Sequence, residues 1–476
     1  MTTSPTQLLI DGQWRDGAAT DVIRAPFDDA TLAEVHLADK ALLDDAIGAA
    51  HRAAPVMAKL PTHERRRLCT DIAAGIAARA DTLSTLICRE AGKPMFAARG
   101  EVARAQQTFR MAAEAAQTLA GDSIALDDVP QGEGRFGIVR RFPSGPVTAI
   151  APFNFPLNLV AHKLAPAFAA GCPVVLKPAE QAPLSALVLA DIVQQAGLPD
   201  GGLNVVACDR ADAAPLSVDD RIRVLSFTGS PQVGWMLKSQ AGKKRVVLEL
   251  GGDAPVLIFD DADLEAAAQR VAYGAFVYAG QVCISVQRIL VHADVKDAFV
   301  DKLVQATADI VVGDPANDNT ISGPLIDDAN VARIQSWVDD AEAKGARCLT
   351  DRGVDGRVMQ PILLDNVAPD ALLATREVFG PVAYVDSFSS DDEAFNKANA
   401  SAFGLQAGLY TNRLSTVWAA YEALTFGGVI HNDIPTFRVD HMPYGGVKDA
   451  GFGREGLPMA LDDYTETKLL ALRPGG

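Results

Sequence analysis

Short apolar runs alternate with amphipathic stretches over most of the chain, and turn residues separate them. From residue 146 onward, apolar runs such as 147–151 and 174–177 are each followed by a stretch with helical spacing. Short apolar strands that alternate with helices indicate parallel sheets covered on both faces. The pattern therefore predicts an α/β fold with doubly wound parallel sheets, one ending near residue 250 and a second running from 253 to about 448.

The N-terminal part has a different pattern, in which alanine-rich stretches repeat with helical spacing. After a short strand at 8–14, this spacing predicts helices over 43–54, 62–80, 81–91 and 101–120. Pro55 and Pro61 are expected to separate the first two helices. Further on, alternation at 123–129 and 135–141 predicts a projecting β-hairpin, and 464–472 predicts a last strand.

Composition narrows the class of protein. A chain of 476 residues is long enough for two or three domains, and a formal charge of −17 argues against nucleic-acid binding. The six cysteines have no paired spacing, so neither a metal site nor a disulfide framework is predicted. No signal peptide is visible at residues 1–5, and four prolines interrupt the longest uncharged run, 142–161, so no membrane span is expected. Reduced thiols suit the cytoplasm.

Candidate chemistry is concentrated between residues 248 and 283. Glu249 precedes the pair Gly251 and Gly252, and Cys283 follows a Gly-Gln turn. A cysteine becomes a useful nucleophile as thiolate, or when a nearby base takes its proton, and Glu249 is the nearest candidate base. The alternative interpretation is that Cys283 is a small buried hydrophobic residue and that Glu249 is a solvated residue at the end of a strand.

Four further motifs decide between these interpretations. They are 152–156 (Pro-Phe-Asn-Phe-Pro), 177–180 (Lys-Pro-Ala-Glu), 227–230 (Phe-Thr-Gly-Ser) and 377–381 (Glu-Val-Phe-Gly-Pro). These motifs occur in the order and at the separations that are typical of the aldehyde dehydrogenase superfamily. The chain resembles this superfamily over nearly its whole length. The resemblance implies an atypical Rossmann cofactor domain, a catalytic domain and a small β oligomerisation arm. It places the cofactor domain at 1–121 and 142–251, the catalytic domain at 252–449, and the oligomerisation arm with the C-terminal segment at 122–141 and 450–476.

The resemblance also implies the catalytic residues. Cys283 would attack the aldehyde, and the amide of Asn154 with the Cys283 N–H would hold the resulting oxyanion. Loss of hydride to a nicotinamide ring would leave a thioester, which water activated by Glu249 would hydrolyse. Lys163 and Glu455 match positions that orient this base or relay protons to it in some members; a surface or supporting role is the alternative for both.

The cofactor site is predicted by the same resemblance. Lys177 and Glu180 would bind the adenosine ribose, Ser230 would open a helix facing the pyrophosphate, and Glu377 would bind the nicotinamide ribose. A carboxylate at Glu180 favours NAD, with NADP also possible. The sequence at 207–210 lacks glycines that the family often has there. The remaining predicted cofactor contacts are Ala151, Pro152, Phe153, Pro178, Thr228, Gly229, Gly234, Leu250 and Phe379.

Substrate preference is predicted from polar residues where the family's tunnel is usually apolar. Arg104, His162 and Arg438, with Asn158 one turn before His162, would form a pocket for a small anionic head group. The alternative is that Arg104 pairs with a surface Glu and Arg438 with Asp440. Other predicted tunnel residues are Phe155, Val282, Ile284 and Thr436. The run 152–163 resembles the branch of phosphonoacetaldehyde, lactaldehyde and non-phosphorylating glyceraldehyde-3-phosphate dehydrogenases.

Several alternatives stay open at this point. The aldehyde could be a small neutral hydroxyaldehyde such as lactaldehyde, and a phosphonate, phosphate, sulfonate or carboxylate would all suit paired arginines. Coenzyme A could resolve the thioester, although a base at Glu249 favours water. A catalytically silent protein would not need Cys283, Glu249 and Asn154 together. A homo-oligomer is expected, either a dimer or a tetramer.

Overall fold

A computed structural model describes residues 6–119 and 121–474. The segment 1–5, in which no signal peptide is expected, lies outside the described residues. So do residue 120, where the fourth predicted helix ends, and the last two residues of the predicted segment 450–476.

The strands are short and mostly apolar. In chain order they are β1 (Leu8–Ile10), β2 (Gln13–Arg15), β3 (Ala19–Arg24), β4 (Thr31–Leu37), β5 (Asp122–Ala125), β6 (Phe136–Pro143), β7 (Val147–Ile150), β8 (Val174–Lys177), β9 (Leu203–Val205), β10 (Val224–Thr228), β11 (Arg245–Glu249), β12 (Pro255–Ile258), β13 (Arg288–His292), β14 (Arg347–Cys348), β15 (Val354–Asp355), β16 (Val358–Met359), β17 (Ile362–Asp365), β18 (Val382–Phe388), β19 (Phe403–Gly404), β20 (Gln406–Tyr410), β21 (Gly428–His431), β22 (Val447–Lys448), β23 (Gly451–Phe452) and β24 (Thr465–Leu472).

The helices cover the faces of the sheets. They are α1 (Lys40–Lys59), α2 (Thr62–Ala78), α3 (Ala80–Ala91), α4 (Met95–Thr118), α5 (Asn158–Ala170), α6 (Leu184–Gln195), α7 (Pro215–Val218), α8 (Pro231–Gln240), α9 (Leu264–Phe276), α10 (Lys296–Ala308), α11 (Asp328–Ala343), α12 (Leu372–Thr375), α13 (Asp391–Asn399), α14 (Leu414–Ala423) and α15 (Leu457–Tyr464).

Two large sheets organise the chain, as predicted. The first has the order β2-β1-β9-β8-β7-β10-β11-β23, and its five central strands are parallel. The second has the order β14-β17-β18-β13-β12-β20-β21, in which β14 alone is antiparallel to its neighbour. Most residues of the parallel strands are buried because helices cover both faces, whereas β21 at the edge of the second sheet is partly exposed. The mixed α/β fold expected from the sequence is confirmed.

A third, smaller sheet contains the predicted hairpin and the last strand. It has the order β24-β6-β5, and Thr465 to Leu472 pair with Pro143 to Phe136 in antiparallel register. Leu469 and Leu470 on β24 are about half exposed. The chain just before β24 does not join this small sheet. Its strand β23 pairs with β11 at the edge of the first sheet.

Two helices of the first sheet begin without a capping side chain of their own, and buried glutamates from other helices supply it. Glu101 on α4 accepts hydrogen bonds from the N–H groups of Leu157 and Asn158 at the start of α5, at 2.9 and 3.0 Å. Glu90 on α3 does the same for α6. A carboxylate at a helix N-terminus satisfies free N–H groups and interacts favourably with the helix dipole. Lys93 neutralises Glu101 at 2.5 Å, within the core.

The structure differs from the predicted elements in three places. Helix α1 continues through Pro55 to Lys59, so this proline does not end it. Helix α4 begins at Met95, six residues before the predicted start. The hairpin β3–β4 was not predicted, because most of its side chains are exposed and its sequence lacks a buried alternating face.

Candidate active site

The carboxyl ends of four neighbouring parallel strands bring most of the predicted site together. Asn154 follows β7, Lys177 ends β8, Thr228 ends β10 and Glu249 ends β11. In open α/β sheets, ligands bind in the crevice at this edge. The second sheet approaches the same edge through the loop that carries Cys283.

The loop before Cys283 is held in an unusual backbone conformation. A turn at Val277–Gly280 follows α9, and within it Tyr278 and Ala279 have φ angles of 54° and 52°. Left-handed backbone at residues other than glycine costs on the order of 1–3 kcal/mol each. The buried side chain of Gln281 holds the turn, since it donates to two carbonyl groups and accepts from one N–H. The position of Cys283 is thereby fixed.

Two polar groups lie beside Cys283. Its Sγ is 3.0 Å from the hydroxyl oxygen of Tyr444. Asn154 donates one N–H of its amide to the carbonyl oxygen of Gln281 at 3.0 Å, which leaves the other N–H for a ligand. Within the described residues, the backbone N–H of Cys283 makes no hydrogen bond. Burial raises the pKa of the Cys283 thiol to about 11.

Glu249 is a buried carboxyl group without a partner. Neither of its oxygens has a hydrogen-bond partner among the described residues, and a Cβ at Gly445 would lie 2.7 Å from Oε1. Burial, and next the neighbouring Glu455, raise the pKa of Glu249 well above its usual value, and Arg438 and Lys163 oppose this shift. A poised carboxyl group of this kind suits a general base.

A chain of charges runs past Glu249. Lys163 donates to the hydroxyl groups of Ser226 and Thr228, at 3.1 and 2.7 Å, and lies 3.5 Å from Glu455. Glu455 in turn accepts from Arg438 at 2.9 Å. Burial alone would raise the pKa of Glu455, but the cationic neighbours lower it, Lys163 most. Glu455 is therefore ionised and lies between two buried cationic side chains.

Asp440 is the centre of a second polar cluster. It accepts from Arg104 through three contacts of 2.7 to 3.2 Å, from the Asn158 amide at 3.2 Å, and lies 2.9 Å from His162. Burial raises the pKa of Asp440, but hydrogen bonds from His162 and Arg104 outweigh it and lower the pKa. Burial, and then Arg438, lower the pKa of His162, so its ring is neutral near neutral pH.

The predicted anion pocket is corrected in one respect. Arg104, His162 and Arg438 do converge, but each guanidinium already has a carboxylate partner. Neither partner is the one considered from the sequence: Arg104 pairs with Asp440, and Arg438 pairs with Glu455. Each partner lies far from its arginine along the chain or on another element, so the sequence could not reveal the pairing.

The other predicted tunnel residues surround this cluster. The ring of Phe155 lies 3.5 Å below the Lys93 ammonium, and Val282 and Ile284 are buried on either side of the cysteine. Thr436 donates its hydroxyl group to the carbonyl oxygen of Ile284 at 2.9 Å. Apolar walls with a few polar groups are typical of a pocket for a small molecule.

Lys177 and Glu180 lie side by side at the end of β8. Lys177 donates to Glu180 at 3.1 Å, and the other Glu180 oxygen lies 3.3 Å from Arg210. The Ala151 N–H donates to the Lys177 carbonyl oxygen at 3.1 Å, which ties β7 to this strand end. Pro178 and Glu180 line a small cavity of about 50 Å³ with residues 207–209. The glycine-poor loop therefore supplies Arg210 as a second cation.

Helix α8 begins at the same edge. Ser230 precedes Pro231, and no side chain of the described residues caps the first turn of the helix. The Gly229 N–H donates to the Glu249 carbonyl oxygen at 3.0 Å. A Cβ at Gly234 would lie 2.4 Å from the Leu250 side chain, so only glycine permits this close packing of α8 on β11.

Glu377 and Phe379 complete the cleft from the second sheet. Glu377 accepts from the Gly252 N–H at 3.0 Å, and burial raises its pKa to about 8. Phe379 has a φ of 46° and meets Phe153, which follows Pro152 in the loop after β7, edge to face at 6.0 Å. These groups, with Lys177, Glu180 and the uncapped helix, fit a nicotinamide dinucleotide.

Asp253 forms a buried ion pair at the start of the second sheet. It lies 3.4 Å from Arg288, and that guanidinium also donates to the carbonyl groups of Lys397 and Ala398 at the end of α13. Burial raises the pKa of Asp253, and Arg288 opposes the shift. The pair joins the start of the second sheet to a helix that covers it.

Arg288→Met is expected to lower the free energy of unfolding by about 3–5 kcal/mol, because it leaves Asp253 buried without its cation. Asp253→Asn/Arg288→Met is expected to recover part of this loss, since no uncompensated charge remains. Urea unfolding followed by tryptophan fluorescence measures both. A double variant less stable than the single one would contradict the assignment of the pair.

The sequence analysis missed Tyr444, Lys93 and Glu101 and treated Asp440 only as a counter-ion of Arg438. A signal existed for Tyr444, because an aromatic residue directly before Gly445 and Gly446 marks a segment that a neighbouring backbone approaches closely. No such signal existed for Lys93, Glu101 and Asp440, because the packing of distant elements determines their partners.

Some features are absent from the part of the chain that the structure describes. No helix there is long and apolar enough to cross a bilayer. Across residues 6–119 and 121–474, no group of three or more His, Cys, Asp or Glu side chains could hold a metal ion. All six cysteines are free thiols, and four of them are fully buried.

Comparison with known proteins identifies the family. Residues 14–470 match the profile described as "Aldehyde dehydrogenase family". The chain belongs to the aldehyde dehydrogenase family. The predicted NAD(P)-dependent oxidation of an aldehyde and the predicted nicotinamide cofactor are thus confirmed.

Three similar members of the aldehyde dehydrogenase family are compared with this chain, two of them as solved structures. A 3-sulfolactaldehyde dehydrogenase of Priestia aryabhattai is 39% identical over 98% of this chain and 97% of its own. Aldehyde dehydrogenase 21 of Physcomitrella patens, solved with the reaction product succinate, is 40% identical with a TM-score of 0.97 and covers 100% of both chains. NADP-dependent glyceraldehyde-3-phosphate dehydrogenase of Bacillus halodurans C-125, complexed with NADP, is 33% identical with a TM-score of 0.96 over 99% of each.

Proposed function

We propose that this aldehyde dehydrogenase oxidises a small aldehyde with a monoanionic head group, a sulfonate or a carboxylate, through a thioester on Cys283. The observation that carries the proposal is the pairing of Arg104 with Asp440 at the head-group end of the site. A charge-balanced arginine can orient one anion, whereas two free guanidiniums would suit a dianion.

The cysteine loop and Asn154 prepare the first step. The S–H proton of Cys283 passes to solvent as the thiolate forms. When Sγ then attacks the carbonyl carbon, the carbonyl oxygen becomes an oxyanion. The free N–H of the Asn154 amide and the Cys283 backbone N–H are the donors available to this oxygen. Donors that are already oriented stabilise the developing charge at no cost of reorganisation.

The cofactor groups hold the dinucleotide against this centre. Lys177 and Glu180 would bind the adenosine ribose, the start of α8 would face the pyrophosphate, and Glu377 would bind the nicotinamide ribose. When bound, the nicotinamide accepts the hydride from the carbon attached to Cys283. Phe153 and Phe379, whose rings meet edge to face at this cleft, would pack beside the nicotinamide.

Glu249 serves the second half of the reaction. Its unpartnered oxygens can accept a proton from a water molecule that attacks the thioester carbonyl. Cys283 then leaves as thiol by taking this proton from Glu249, which regenerates the carboxylate, and the acid is released. Hydrolysis is favoured over transfer to coenzyme A because water, a much weaker acid and nucleophile than a thiol, needs a general base to attack, and Glu249 is placed to supply one.

The head-group site is close to neutral overall. Arg104 balances Asp440 and Arg438 balances Glu455, while His162 is uncharged. Three contacts to Asp440 use Nε and Nη2 of Arg104, so its Nη1 is available to the substrate, and its side chain is 29% exposed. Two similar proteins support a monoanion, one named for sulfolactaldehyde and one solved with succinate.

The test is a comparison of kcat/KM for aldehydes that differ in head-group charge, followed by absorbance of the reduced nicotinamide. Sulfolactaldehyde and succinic semialdehyde are expected to exceed glyceraldehyde 3-phosphate, phosphonoacetaldehyde, lactaldehyde and propanal by about 100-fold, the effect of one charge-assisted contact. Equal rates for lactaldehyde would favour a neutral hydroxyaldehyde instead. The highest rate for a phosphorylated aldehyde would refute a monoanion pocket.

Glu180→Gln is expected to shift cofactor preference toward NADP. The substitution removes a carboxylate that repels a 2′-phosphate and leaves Lys177 and Arg210 to bind it. The ratio of kcat/KM for NADP to that for NAD should rise about tenfold or more. Glu133→Gln, in the exposed turn before β6, is the matched control and should leave the ratio unchanged. An unaltered ratio in Glu180→Gln would remove Glu180 from the adenosine site.

We also propose a homo-oligomer in the cytoplasm, a dimer or a tetramer, with the sheet β24-β6-β5 as its arm. Exposed Leu469 and Leu470 on the arm, and Trp418 and Tyr421 on α14, support an interface. Free thiols are typical of a reducing compartment. Light scattering on the purified protein would distinguish these assemblies from a monomer.

A further inference from the structure

We propose that Tyr444 is a catalytic residue that donates a hydrogen bond from its hydroxyl group to Cys283 Sγ and stabilises the thiolate. This inference rests on the proposed role of Cys283 as the nucleophile. It assigns a direct contact with the reacting sulfur atom to a side chain that the motifs do not include.

The geometry around the Tyr444 hydroxyl group favours this assignment. Tyr444 is 3% exposed, and among the described residues its hydroxyl oxygen has the sulfur of Cys283, at 3.0 Å, as its hydrogen-bond partner. A buried phenol normally finds an acceptor for its O–H group. Sulfur is a weak acceptor as a thiol and a much better one as a thiolate, so the hydrogen bond strengthens when the nucleophile forms.

Arg438 makes Tyr444 the donor of the pair. Its guanidinium lies 3.6 Å from the centre of the Tyr444 ring, over the face. A cation against this face is attracted by the ring and favours withdrawal of electron density from the hydroxyl oxygen. Glu455 holds the guanidinium there through its 2.9 Å hydrogen bond, and Lys163 supports Glu455. Arg438 and Glu455 are positioning residues in this arrangement.

The proton balance is simple. Formation of the nucleophile breaks the S–H bond of Cys283 and releases the proton to solvent, and Sγ then bonds to the carbonyl carbon. Tyr444 keeps its own proton throughout and donates the hydrogen bond from it. Burial raises the pKa of Tyr444 well above its usual value, so the phenol stays protonated at every pH at which the enzyme would work.

The test is the pH dependence of Cys283 alkylation by iodoacetamide in the full-length protein without aldehyde. Alkylation is followed from roughly pH 7 to pH 12, a range that includes the raised Cys283 pKa of about 11 and a rise of one unit from it. Peptide mass spectrometry separates Cys283 from the other five cysteines. Because no substrate is used, a negative result is distinguishable from failure of the proposed aldehyde oxidation, which is assayed separately.

Tyr444→Phe keeps the ring under Arg438 and removes the hydroxyl group. The alkylation midpoint of Cys283 is expected to rise by about one pH unit, the size of a hydrogen bond to a charged group. Tyr410→Phe is the matched control, since its buried hydroxyl group has no partner among the described residues and lies in the second sheet. It should leave the midpoint unchanged.

A second measurement covers the case in which Tyr444→Phe fails to fold. Incorporation of 3-fluorotyrosine makes every phenol more acidic and a stronger donor, so the Cys283 midpoint should fall. The same incorporation in Tyr410→Phe should give the same fall, because that residue makes no contact with sulfur. A midpoint that moves in neither Tyr444→Phe nor the fluorinated protein would make Tyr444 a packing residue and overturn the proposal.

Discussion

Glu249→Gln is expected to give one rapid turnover of NADH and then almost none. The first half of the reaction needs the nucleophile and the oxyanion donors, which this substitution leaves in place. The second half needs a base for water, and an amide cannot accept its proton. Steady-state kcat should therefore fall by about 10²–10⁴, the usual contribution of a general base. Rapid mixing should show a burst close to one NADH per active site.

Two controls separate this result from general damage. Hydroxylamine, a nucleophile that needs no base, should restore turnover of Glu249→Gln by cleaving the thioester. Cys283→Ala should lose the burst as well as turnover, with a fall in kcat on the order of 10⁵ or more. If Glu249→Gln instead shows a slow first turnover and no burst, its main role is to deprotonate Cys283.

The pH profile provides an independent check on the same carboxyl group. Burial and Glu455 raise the pKa of Glu249, and only its carboxylate form can act as a base. Turnover of the wild-type enzyme is therefore expected to increase as pH rises through this elevated pKa and to be lost as pH falls through it. This limb should be missing from the residual turnover of Glu249→Gln. A profile that is flat above the ordinary carboxyl range would show that Glu249 titrates normally.

Arg104→Gln is expected to abolish the preference for anionic aldehydes. The substitution removes the partly exposed guanidinium and leaves Asp440 ionised beside the head group. Both changes act against an anion, so kcat/KM for sulfolactaldehyde and succinic semialdehyde should fall about 100-fold or more. Propanal carries no charge and should change little. Arg99→Gln on the same helix, where the arginine pairs with Asp318 at the surface, is the matched control.

Asp440→Asn tests the charge balance from the other side. It keeps a hydrogen-bond acceptor for Arg104 but removes one negative charge, so the head-group site gains a net positive charge. The kcat/KM ratio of glyceraldehyde 3-phosphate to succinic semialdehyde should then rise about tenfold. An unchanged ratio would mean that Asp440 fixes the position of Arg104 without setting the charge of the substrate.

The sequence was sufficient for the fold because the strands of both large sheets are short, apolar and separated by helices. It was also sufficient to place Asn154, Lys177 and Glu249 near one another, since each follows a parallel strand of one sheet. The structure brings these residues together, and their roles remain predictions. Strand ends that share a sheet edge are local features that a pattern can reveal.

The pairing of charges could not be predicted in the same way. Asp440 and Arg104 are 336 positions apart, and their contact depends on how a loop after the second sheet packs against α4. Pro55 was also misleading, because α1 tolerates a proline in its interior. Backbone strain at Tyr278 and Ala279 is equally invisible in the sequence, because neither residue type favours a positive φ.

Helix α4 has a consequence for attempts to redesign this enzyme. Glu101 holds the first turn of α5, directly after the loop of Asn154, while Arg104 one turn later faces the head group. Helix α4 thus carries both Arg104, which would select the substrate, and Glu101, which holds the helix that follows Asn154. Variant libraries that change residues of α4 alone should therefore lower kcat when they change substrate specificity. Exchange of residues 93–104 together with 152–162 as one cassette should preserve their fit.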